Sequence, residues 1–162
     1  MRSAIAASAV PVHQQIARRI GTEREQKYLD LFNYGNRNIS GGIEHCWLNG
    51  GLRISPVQQI DFIARLLRGD LPVSKRAQDL TRDIVPVTRL GDAAIHYKTG
   101  LIGVDEATAR QGITTSAGWI VGWAEKAATV TLFALNMDIR KPEHVAARMT
   151  IAQQALSDIG AI

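Results

Sequence analysis

Cysteine is all but missing from this sequence. Cys46 is the only one, so no internal disulfide can form, and a single thiol says nothing about redox compartment. Long apolar runs are missing too: nothing approaches the roughly 18 apolar residues of a membrane-spanning helix. Metal-ligand spacings are absent. His13, His45, His96 and His144 stand in no HExxH or CxxC arrangement, and the neighbours His45 and Cys46 are poorly placed around one tetrahedral ion. Structural roles are expected for all four, and no metal. A one-sided charge run is lacking as well. The chain carries 19 Lys and Arg against 15 Asp and Glu, a net charge of +4, but the two signs alternate throughout. That argues against a nucleic-acid-binding stripe. It fits a modest positive field around a site for an anionic small molecule.

What is present suits one globular domain spanning residues 1–162. The 162 residues are 46% hydrophobic and 21% charged, enough for a real core, and no repeat, linker or low-complexity stretch divides them. Ser3 to Val10 faintly resembles a leader with Ala7-Ser8-Ala9 as a cleavage site. The run is too short and too alanine-rich, so it reads as the start of a helix inside a larger domain.

Local signals predict helices first. Pro11 to Ile20 opens on proline and is stopped by Gly21. Thr22 with Glu25 reads as a capping box for a helix to about Phe32. A long, glycine-bearing loop follows, of the kind that carries function. Ser55-Pro56 caps a helix with Val57, Ile60, Ile63, Leu66 and Leu67 at helical spacing, ended by Gly69. Another helix is expected from Ser74 to about Ile84. Three strands follow: Ala94–Thr99, then Gly118–Glu125 and Thr129–Asp138 as a hairpin across Ala127-Ala128. Val130 to Met137 is apolar on both faces, as in a strand covered twice. Pro142 opens a last helix with the stripe Val145, Met149, Ala152, Leu156 and Ile159. The fold class is α+β, an antiparallel sheet with helices. About three strands are few for so apolar a hairpin, so something should cover or extend the sheet.

The sharpest chemical signal is Lys98-Thr99-Gly100 at the end of a strand. It presents an ammonium and a hydroxyl to an anionic group, and the glycine lets that group approach the backbone. Taken alone it is a weak signal, and a strand end with a solvated lysine is the stronger reading.

It does not stand alone. Ser8-Ala9-Val10, Tyr34-Gly35-Asn36, Trp47-Leu48, Lys98-Thr99-Gly100, Gly118-Trp119 and Gly122-Trp123, in that order, resemble the class D β-lactamases. These are penicillin-recognising serine enzymes whose relatives pair Ser-x-x-Lys with Lys-Thr-Gly. The resemblance runs from about Ser3 to Ile162. It implies a partial β-lactamase/transpeptidase-like fold and a role for each matching residue. Ser8 would shuttle a proton to the leaving nitrogen. Val10 and Leu48 would wall a carboxylated lysine, and Trp47 would donate its indole N–H to that carbamate. Tyr34 and Asn36, with Gly35, would shape the floor. Lys98 would assist proton transfer and attract the substrate carboxylate, which Thr99 would hydrogen-bond beside Gly100. The Leu101 N–H would form half of an oxyanion hole, and Arg148 would bind the carboxylate. Each residue has a plainer reading. Ser8 is then a helix cap, Val10 and Leu48 are core, and Trp47 is a core aromatic bonded to a carbonyl. Tyr34-Gly35-Asn36 is a turn, and Arg148 a surface charge.

One required element is missing. None of Ser3, Ser8, Ser40, Ser55, Ser74, Ser116 and Ser157 has lysine three residues later. The resemblance therefore implies a chain lacking its N-terminal portion, inactive alone. It implies no cofactor bound by this chain, with CO2 carboxylating a lysine only in the full-length enzyme. The expected partners are a β-lactam and a complementing N-terminal fragment or a second copy, with neither nucleic acid nor membrane. The implied location is periplasmic. A penicillin-sensing domain that acylates without turnover, or an inactive remnant, are the alternatives.

Overall fold

The computed structural model describes residues 1–103 and 116–162. Helices α1 (Arg2–Ala6), α2 (Val10–Ile20) and α3 (Thr22–Phe32) lead into an irregular segment. Then come α4 (Pro56–Arg68), α5 (Lys75–Ile84), strands β1 (Val87–Leu90), β2 (Ala93–Ile102), β3 (Ser116–Lys126) and β4 (Thr129–Ile139), and α6 (Glu143–Asp158). The strands form one antiparallel sheet in sequence order.

The punctuation residues act largely as their chemistry dictates. Gly21 ends α2 at φ +80°, and Gly69 ends α4 in the left-handed region. Ser55 and Gln58 form a reciprocal capping box. Ser74 lies outside α5 and accepts from the Ala77 N–H. The capping box expected at Thr22 does not form. Gly21 is the cap, Thr22 is already helical, and the Glu25 N–H bonds the Gly21 carbonyl at 3.0 Å. Gly21 alone joins α2 to α3, which leaves no room for a separate cap.

The sheet has four strands where three were expected. Val87–Leu90 pairs with Ala93–His96 across Gly91-Asp92, with Gly91 at φ +59°, the left-handed first position of a tight hairpin turn. β2 also continues to Ile102, so Lys98-Thr99-Gly100 lies within the strand and not at its end. The expectation for β4 is corrected too. It is an edge strand of the described sheet, its apolar residues are only half-buried, and Val130 is 53% exposed.

Helices α4 and α6 pack on β3 and β4. The tightest core pairs Ile95 with its cross-strand partner Ala124 under Leu156 of α6 and Ala161. Ile95 and Ile120 are fully buried, each contributing about 1.5–3 kcal/mol of transfer free energy. The α6 stripe is Arg148, Ala152 and Leu156; Ile159, expected on it, is 70% exposed because the helix has already ended. Val57, in the first turn of α4, is likewise exposed while Ile63 and Leu66 are buried. Gly122 is set by the sheet itself. A Cβ there would overlap the His96 carbonyl, so β2 and β3 approach more closely than any side chain would allow.

Candidate active site

Strand geometry fixes the first wall. The Tyr97 N–H donates to the Pro86 carbonyl at 3.0 Å, so odd-numbered residues of β2 direct their backbone groups to the outer edge. β1 pairs no further than this, leaving the N–H groups of Thr99 and Leu101 on an edge without a strand partner among the described residues. Even-numbered Lys98 and Gly100 pair inward with Val121 and Trp119.

Lys98 donates from Nζ to the Ser8 hydroxyl, and to the Thr99 carbonyl at 2.6 Å. Burial, and then the nearby Arg148, depress its pKa below the ordinary lysine value. Ser8 lies between α1 and α2 with φ +49°, a conformation few non-glycine residues adopt and one enriched at functional sites. Ala9, not Ser8, is the N-cap of α2. The plain helix-cap reading of Ser8 is therefore excluded, and its hydroxyl serves Lys98 instead.

Arg148 is no surface charge. It is 7% exposed, and its Nε donates to the Val145 carbonyl at 2.8 Å. Its Nη1 reaches the Gly100 carbonyl, and that of Trp119 at 3.2 Å. Gly118 makes room for it: a Cβ there would lie 2.7 Å from the Arg148 Cδ. Burial lowers the guanidinium pKa from its ordinary value.

The second wall comes from α2, α3 and the loop. His13, Ile16, Ala17 and Ile20 recur at helical spacing and all face the same cavity. The Tyr34 hydroxyl accepts from Gln59 Nε2 at 2.7 Å, and its ring stands edge-on to Phe62 at 5.0 Å. Burial raises the Tyr34 pKa, partly offset by Gln59. Asn36 ties the loop together. Its Nδ2 donates to the Gly51 carbonyl at 2.8 Å, and its Oδ1 accepts from Arg53 N at 2.9 Å. Gly35, at φ +55°, permits this closure because a Cβ there would overlap the Arg53 carbonyl.

Between the walls lies a cavity of about 750 Å³, within the range of drug-sized ligand sites. Ser8, Val10, Tyr34, Trp47, Leu48, Lys98, Thr99, Gly100, Leu101 and Arg148 all line it. Asn36 does not. It is exposed and acts through the loop it closes, so it is not part of the floor expected from the sequence. Strand alternation sends Lys98 and Thr99 to opposite faces, yet both border the cavity because the outer edge of β2 is open there.

Sequence reasoning missed His13, Glu25, Gln59 and Val121 as lining residues. The periodicity of α2 would have flagged His13. Glu25 was assigned to a cap that does not form. Among the described residues no three His, Cys, Asp or Glu side chains are grouped to hold a metal ion. No described helix is long and apolar enough to cross a membrane. The arrangement can pass a proton between an ammonium and a hydroxyl. It can also hold a carboxylate near a buried guanidinium and offer strand-edge N–H groups to a developing oxyanion.

Comparison with known proteins converges on one family. Residues 1–159 match the penicillin binding protein transpeptidase domain. Beta-lactamase OXA-5 of Pseudomonas aeruginosa is 43% identical over 164 residues, covering 100% of this chain and 59% of the relative. Beta-lactamase OXA-48 of Klebsiella pneumoniae is 38% identical over 149 residues, 92% of this chain and 53% of that protein. The class D β-lactamase YbXI from Nostoc superposes with a TM-score of 0.90 at 37% identity, over 99% of this chain and 65% of that one. FUS-1 (OXA-85), a class D β-lactamase from Fusobacterium nucleatum subsp. polymorphum, superposes at 0.89 with 34% identity, over 99% and 64%. The chain spans less than two thirds of the length of these relatives. With its ordered motifs, its sheet and its cavity, the chain belongs to the penicillin-binding transpeptidase-domain family, and its homologues there are class D β-lactamases.

Proposed function

We propose that this chain carries the substrate-binding and proton-transfer part of a serine β-lactamase, which opens the β-lactam ring through an acyl-enzyme. The observation that supports this most is Lys98 donating to the Ser8 hydroxyl at the wall of a cavity that also holds Trp47, Thr99 and Arg148. Arg148 and Thr99 receive the substrate carboxylate. The Leu101 N–H, on the open edge of β2, stabilises the oxyanion as the ring carbonyl is attacked. Ser8 and Lys98 relay a proton to the ring nitrogen as its bond to the carbonyl breaks.

Acylation needs a serine nucleophile and a lysine base in Ser-x-x-Lys spacing, and these 162 residues contain no such pair. The reading assigns both to a segment outside these 162 residues that enters the cavity. Val10, Trp47 and Leu48 would then surround that lysine, and CO2 would convert it to a carbamate base. A periplasmic location goes with the same reading.

The test is hydrolysis of a chromogenic cephalosporin in bicarbonate buffer, with and without an added polypeptide bearing the upstream Ser-x-x-Lys segment. Hydrolysis only on complementation is expected. Acylation without turnover in the complemented sample would replace the hydrolase with a penicillin sensor. A folded sample with neither would refute both.

A further inference from the structure

Glu25 introduces a charge that the proposed reaction does not use. Because Gly21 caps α3, Glu25 sits at the end of the first helical turn, and it lines the cavity. Among the described residues its carboxylate has neither hydrogen bond nor ion pair, and burial raises its pKa. Ile16, Ala17, Ile20 and Leu52 border the same cavity. A half-buried carboxylate without a partner is costly, and a cation or donor brought in by a ligand relieves that cost.

The cavity's cations do not supply this partner. Lys98 is engaged with Ser8 and Thr99, and Arg148 with carbonyls of Gly100, Trp119 and Val145. Arg53 is tied to carbonyls of its own loop. Lys98 feels the charge of Arg148, whereas the shift of Glu25 comes from burial alone. The carboxylate comes from α3 on the helix-and-loop wall, whereas Lys98 and Arg148 belong to the sheet wall of the same cavity. Beneath this wall Cys46 is 1% exposed, and the charge of Glu25 adds to burial in raising its pKa.

We propose that Glu25 is a specificity-determining residue that receives a protonated amine on the substituent of a β-lactam whose carboxylate lies against Lys98 and Arg148. The favoured substrate class is zwitterionic. This rests on the proposed β-lactam site and narrows it.

Ampicillin and benzylpenicillin differ by a single amino group and make the test direct. Calorimetric titration of each into the 162-residue chain at neutral pH should show ampicillin binding about tenfold more tightly, the worth of one charge-assisted hydrogen bond. In Glu25→Gln, which keeps shape and removes charge, the two affinities should converge while benzylpenicillin binding is unchanged. Equal affinities in the unaltered chain, which needs no variant to fold, would overturn the assignment of Glu25 while leaving the β-lactam reading intact. So would a preference that survives Glu25→Gln. Binding of neither penicillin would overturn the β-lactam site and the inference with it.

Discussion

On the sheet side of the cavity, Lys98, Gly100 and Trp119 are placed by strand register, and Arg148 by a helix lying on that sheet. On the loop side, Tyr34, Trp47 and Leu48 are placed by a segment with no regular structure, closed by Asn36 and by Gly35 against Arg53. The sheet wall shares its backbone bonds with the core around Ile95 and Ala124. The loop wall rests on its own turn bonds, on Asn36 and on Tyr34 packed against Phe62. Residues of equal functional interest are thus held by cooperative packing on one side and by separable local contacts on the other.

Two glycine substitutions set this difference at its sharpest. Gly122→Ala would force β2 from β3 and should cost about 3 kcal/mol or more, with loss of cooperative unfolding. Gly35→Ala meets an equally close carbonyl at a positive φ, but the strain can be relieved by opening the loop. It should cost about 2 kcal/mol and leave the sheet intact. Urea unfolding followed by far-ultraviolet dichroism would compare them. Equal loss of sheet signal would break the distinction.

Arg148→Met keeps the alkyl stem and removes the guanidinium from three carbonyls. Affinity for benzylpenicillin should fall by about tenfold or more, measured by calorimetry against an uncharged ester of the same drug, whose affinity should change little.

The loop wall is tested more gently by Asn36→Ala, which removes the bonds to Gly51, Arg53 and Asn38. A loss of about 1–3 kcal/mol is expected. Hydrogen exchange should rise at Asn38 and Arg53 but not in β2 or β3.

The smallest effect concerns pH. His96 stacks on Trp123 at 4.6 Å, its Nδ1 is buried without a partner, and the Trp123 indole donates to Glu125. Burial, helped by Arg89 and opposed by Glu125, lowers the His96 pKa below 6.5 in the folded chain. The unfolded chain then binds more protons just below pH 6.5, so stability should fall as pH drops through that window. His96→Gln should flatten the fall in urea midpoints measured across it.

Much of this is legible in the amino-acid sequence. Gly21, Ser55, Gly69 and Ser74 act locally, so element boundaries there follow from chemistry within a few residues. The order of motifs groups eleven residues into one expected site, and the structure places ten of them, all but Asn36, around one cavity. Other features are hidden. β1 is four residues long with little apolar alternation, and it exists because the Gly91 turn folds it onto β2. Glu25 looks like a cap because a threonine stands three residues earlier, but whether that threonine caps depends on where α2 stops. Arg148 reads as polar in any sequence. Only the space above Gly118 and the carbonyls beyond it make its burial tolerable.

The sequence by itself determined the helices, the hairpin and the α+β class, because caps, turns and periodicity act over a few neighbours. Which groups meet was decided by tertiary structure alone. Lys98 and Ser8 are ninety positions apart, and no local rule specifies a contact that depends on how a strand edge, a helix junction and a buried arginine pack together.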